Sequence, residues 1–144
     1  MSSTYDKFNE QAEEFLLKMI QTFPTESNIS SMKFYFDFQR SIDKTRPVQT
    51  FMSYLEPFGL QIMSKDEHFF KKDEYVKNVE SLSEKLGLVD RWAALAPATK
   101  ESIWSYFQVL YVIGMQTFNK KEDLRKILNE VSKKQNFEYD GSKI

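Results

Sequence analysis

PATKESIWSYFQVLYVIGMQTF, residues Pro97 to Phe118, is the stretch whose reading decides the fold. Proline has no amide hydrogen and a fixed φ, both harmless in the first turn of a helix, so Pro97 marks a start. From Tyr106 to Met115 apolar residues fall on nearly every side of the predicted helix, the pattern of a segment surrounded by others rather than one lying on a surface. The apolar run from Ile103 to Met115 is interrupted by Ser105 and Gln108. It is well short of the roughly 20 residues that cross a bilayer, so it reads as the buried helix of an aqueous domain. Gly114 inside it lowers helix propensity and points to a neighbour that approaches closely.

Downstream, Asn119 ends that helix and caps the next, since Asn119 and Glu122 have capping-box spacing and Leu124, Ile127, Leu128 and Val131 follow as a stripe, which predicts a last amphipathic helix. Beyond Gln135 the chain is polar apart from Phe137, Tyr139 and Ile144. The expected organisation is one helical domain over residues 1–135 and a polar C-terminal tail over 136–144.

Upstream, Leu88 to Leu95, with Trp92, predicts a short helix. Asp73 to Leu86 predicts another, with Val76, Val79, Leu82 and Leu86 on one face and Gly87 as its stop. Arg46-Pro47 opens a helix carrying Val48, Phe51, Met52, Tyr54 and Leu55, with Thr45 as its cap. Pro57 and Gly59 break or bend that helix, and Ser64-Lys65-Asp66-Glu67 has the spacing of a further capping box before Phe69 and Phe70.

Ser27 or Asn28 caps a helix presenting Ile29, Met32, Tyr35, Phe36, Gln39 and Ile42, whose apolar surface Phe34 and Phe38 widen. The cluster Phe34 to Phe38 also tolerates a strand reading. The first helix runs from Ser3 to Thr22, capped by Ser3 with Asp6 and ended by Pro24, with Tyr5, Phe8, Ala12, Phe15, Leu16, Met19 and Ile20 at three-and-four spacing. The sum is an all-α bundle of about six helices around the central one at about 97–118.

Composition agrees with a single aromatic-rich core: 144 residues, 41% hydrophobic and 28% charged, with 13 Phe. A net charge of -1 supplies no global positive field for a phosphate backbone. The absence of cysteine excludes disulfides, thiolate metal sites and a cysteine nucleophile, and fits a reducing compartment. The first 14 residues look like neither a secretory signal nor a transit peptide. The expectation is a soluble protein inside a cell, without membrane insertion.

Catalytic patterns are missing. His68 is the only histidine, so a site of three or four converging metal ligands has no second imidazole or thiolate to complete it. Asp66-Glu67-His68 has the letters of a helicase motif, but the glycine-rich phosphate loop and lysine that ATP hydrolysis needs are absent. No serine stands in a nucleophile-elbow context. The adjacent carboxylates Glu13-Glu14, Asp73-Glu74 and Glu122-Asp123 point in different directions on a helix and share no acid/base pocket. Neither an enzymatic role nor a cofactor is expected.

What remains is recognition. Trp92, Trp104, Tyr106, Phe107 and Tyr111 carry large contact area, although helical spacing favours core positions for most aromatics of this kind. Phe69 and Phe70, beside a charged loop, are candidate exposed anchors for a protein partner or a second copy of the chain, together with Trp92. Lys120, Lys121, Arg125 and Lys126 form a locally basic stretch that could meet phosphate or an acidic partner, which makes nucleic acid the alternative partner. The interspersed Glu122, Asp123 and Glu130 favour an ordinary solvated face.

The order of Phe15-Leu16, Thr22-Phe23-Pro24, Arg46-Pro47, Phe51, Asp66-Glu67, Phe69-Phe70, Lys100, Ile103-Trp104 and Phe107-Gln108-Val109-Leu110 resembles a family of small helical proteins encoded by large nucleocytoplasmic DNA viruses, mimivirus-like and algal viruses among them. These residues span most of the chain, and each is an ordinary helix or core motif. The resemblance implies a viral accessory or minor structural protein in the host cytoplasm or the virion, and it carries no catalytic residues.

Overall fold

The computed structural model describes residues 3–67 and 81–138, with side chains described through Lys133. Among these residues there is no strand. Helices α1 (Thr4–Thr22), α2 (Ser27–Ile42) and α3 (Arg46–Leu55) are followed by a 3-10 turn, Glu56–Phe58, and by α4 (Gly59–Ser64). After the undescribed segment come α5 (Leu82–Lys85), a second 3-10 turn at Trp92–Ala94, α6 (Pro97–Thr117) and α7 (Lys121–Glu138). The chain is an all-α bundle.

The segment from Pro97 sits at its centre. α6 packs against α1, α3, α4 and α7, burying Ile103, Trp104, Phe107, Leu110, Tyr111, Gly114 and Met115. Val109 escapes that enclosure at 40% exposure, so one edge of the helix meets solvent. Aromatic rings knit the layers in edge-on contacts, the arrangement that ring quadrupoles favour. Phe8 of α1 and Phe36 of α2 both meet Phe51 of α3, with centroids 5.7 and 6.2 Å away, and Phe15 meets Phe107 of α6 at 5.5 Å. Each large apolar side chain so buried contributes about 1.5–3 kcal/mol relative to an exposed one.

Gly114 and Gly59 mark the two closest approaches. A Cβ on Gly114 would stand 2.2 Å from Sδ of Met52 on α3, and one on Gly59 would stand 2.2 Å from the hydroxyl oxygen of Tyr111. The close neighbour read from Gly114 is therefore α3.

Helix starts depart from the sequence reading in three places. Ser3 and Asp6 do form the expected reciprocal capping box. The cap of α2 is Glu26, whose carboxylate accepts from the Asn28 amide at 3.2 Å, and not Ser27 or Asn28. Thr45 makes no cap bond to α3; instead the Asp43 carboxylate accepts from both its amide and its hydroxyl at 2.9 Å. Ser81 and Glu84 form a capping box at α5, and Ser81 has extended backbone. Within the helix expected through Asp73–Leu86, α5 starts at Leu82, and residues 73–80 lie outside the described residues.

Three helix ends share one device. Lys65 (φ 56), Gly87 (φ 73) and Asn119 (φ 63) are the left-handed residues. At each, its own amide bonds back three residues and the next amide bonds back five, as in Lys120 N to Met115 O at 2.8 Å. This is the Schellman closure, which satisfies the last carbonyls of a helix. The stretch Ser64–Glu67 thus closes α4, and the helix expected after it lies outside the described residues. Asn119 ends α6 as expected, while α7 starts at Lys121 and not directly after Asn119. Gly87 is the stop its identity suggested. α7 runs to Glu138, three residues beyond the boundary expected at 135.

Candidate interaction surface

α2 has two unlike sides. Inward, Ile29, Met32, Phe36 and Gln39 are buried, and the Gln39 amide donates to the Thr50 hydroxyl of α3 at 2.8 Å. Outward, Phe34 is 76% exposed, Phe38 55%, Ile42 51% and Tyr35 49%. Helical rotation of about 100° per residue places Phe34 and Phe38 about 160° and Ile42 about 120° around the helix from Phe36, so the three share the outward side. Ser27, Ser30, Ser31 and Ser41 complete the outward face, all exposed.

No charge stands on that face because the charges of α2 are held at its borders. Lys33 and Asp37 pair at 2.6 Å along one edge. Arg40 reaches Glu13 of α1 at 3.1 Å, with its guanidinium 5.6 Å from the Phe36 ring centre. The result is a strip of three aromatics, one isoleucine and four serine hydroxyls. Monomeric proteins rarely leave such a contiguous apolar run in water without using it.

An open cleft of about 620 Å³ adjoins the strip between α2, α3 and α5. Ser31 and Tyr35 belong to both, and Asn28, Met32, Thr50, Tyr54, Glu84 and Lys85 form its other walls. Glu84 is committed to the Ser81 cap, so the cleft extends the contact surface without assembling reactive groups. Elsewhere, burial and then the Glu14 carboxylate push the Tyr106 hydroxyl up to about 12, and it donates to Glu14 at 2.8 Å. Among the described residues no three His, Cys, Asp or Glu side chains are grouped as metal ligands. None of the described helices is long and apolar enough to cross a membrane.

The residues singled out from sequence fare unevenly. Phe69, Phe70 and His68 lie outside the described residues. Trp92 is a correction: it is 5% exposed, its ring meets Trp104 edge-on at 5.6 Å and Lys100 lies 5.4 Å from its centre, so it is a core residue and not a contact anchor. Trp104, Phe107 and Tyr111 are likewise internal. The four basic residues do not form a free cationic patch. Lys120 bonds Glu56 at 2.5 Å, Arg125 pairs with Glu122 at 3.0 Å, and only Lys121 and Lys126 stand exposed outside those pairs.

The strip on α2 was the missed feature. Its signal was available in the sequence: the apolar residues of α2 cover far more of the circumference than one neighbouring layer can bury. Comparison with protein-family models, with curated proteins and with solved structures finds no match to this chain.

Proposed function

We propose that this protein is a non-enzymatic interaction module that docks through the outward face of α2 onto an uncharged apolar helix. The observation that carries this reading is the exposed run of Phe34, Tyr35, Phe38 and Ile42, spread over about two turns of α2 with no charge among them. Large rings with few rotatable bonds gain contact area at small entropic cost, which suits them to recognition. The resemblance to proteins of large nucleocytoplasmic DNA viruses extends the proposal to an accessory or minor structural component of the particle or of the host cytoplasm. Mass spectrometry of purified particles finding no copies would remove the virion arm.

The docking reading is tested with Phe34→Ser/Phe38→Ser. Both side chains are largely in water, so folding stability changes by less than about 0.5 kcal/mol. Affinity capture from producing cells should enrich specific proteins with the wild-type chain and lose them with the double variant. Equal recovery with both chains would reject the α2 face.

A further inference from the structure

We draw no further inference here: the strongest candidate, the exposed apolar face of α2 with the cleft that adjoins it between α2, α3 and α5, belongs to the surface already described, and nothing in the structure shows what covers it.

Discussion

Lys65 and Asn119 occupy backbone conformations in which an L side chain crowds its own carbonyl, while Gly87 occupies a similar one without that cost. Replacing Lys65 by glycine relieves roughly 1–2 kcal/mol of crowding and returns part of it through the greater freedom of the unfolded chain. Its ion pair with Glu101 is largely exposed and contributes little. Lys65→Gly is expected to raise unfolding free energy by about 0.5–1 kcal/mol, read as a higher urea midpoint at unchanged slope. Gly87→Ala should act in the opposite direction, by about 1–2 kcal/mol, because the added Cβ also meets the Glu26 carboxylate at 3.0 Å. At Gly59 the obstacle is steric alone. Gly59→Ala drives a methyl into the buried Tyr111 ring and should lower stability by about 1–3 kcal/mol, with Tyr111→Phe in the same chain recovering part of the loss. Calorimetry of the two single variants and the pair checks it.

Among the elements, the first turn of α2 depends most on one side chain. Glu26 caps the helix and also accepts from Arg91 Nε at 3.1 Å and Nη2 at 2.7 Å, so one carboxylate ties α2 to the chain entering α6. The Arg91 guanidinium, more than any other cause, holds its carboxyl below the usual glutamate value of 4.5. A depressed folded pKa means that the unfolded chain binds the proton first, so this stability is present above pH 4.5 and is lost as pH falls through the folded value. Asp6, held low by the Ser3 amide, and Asp43, held low by the Thr45 amide, act with the same sign in the same acid window. Glu26→Gln should therefore cost about 1 kcal/mol at pH 7 and shrink the difference in denaturant midpoint between pH 7 and pH 3. An unchanged acid limb would show that the clamp does not act through ionisation. None of this was legible in advance, because a cap needs only a side chain within reach of a free amide, and Glu26, Ser27 and Asn28 all reach. What periodicity revealed were the helix bodies. Termini depended on local geometry that neighbouring polar residues compete to supply, as Asp43 does in place of Thr45.

For the molecule as a whole, the segment from Pro97 organised the bundle as its near-continuous apolar surface required, since a helix oily on most sides is stable only when others cover it. The outward side of α2 was legible only in part: its apolar residues cover more of the circumference than one layer buries, but periodicity does not report whether the fold has a further layer to cover them. Phe34 and Phe38 widen the apolar surface of α2, and the bundle closes without them. The buried centre also dictates an alkaline response. Burial, and then the nearby carboxylates, push the hydroxyls of Tyr106 and Tyr111 on α6 up to about 12 from an ordinary 10.0. A raised folded pKa means that the folded chain keeps these protons longer than the unfolded one. Stability is thus whole below pH 10 and falls as pH rises through about 12, because the unfolded state gains from ionising first. The sequence alone could not anticipate this, since both tyrosines sit in the same apolar run and only packing tells how far each is shielded. Denaturant midpoints at pH 8 and pH 11 should differ for the wild-type chain, and Tyr106→Phe/Tyr111→Phe should lessen the difference while leaving the acid limb set by Glu26 untouched. An alkaline loss of the same size in the double variant would mean that groups other than these two hydroxyls set the upper limit of the fold.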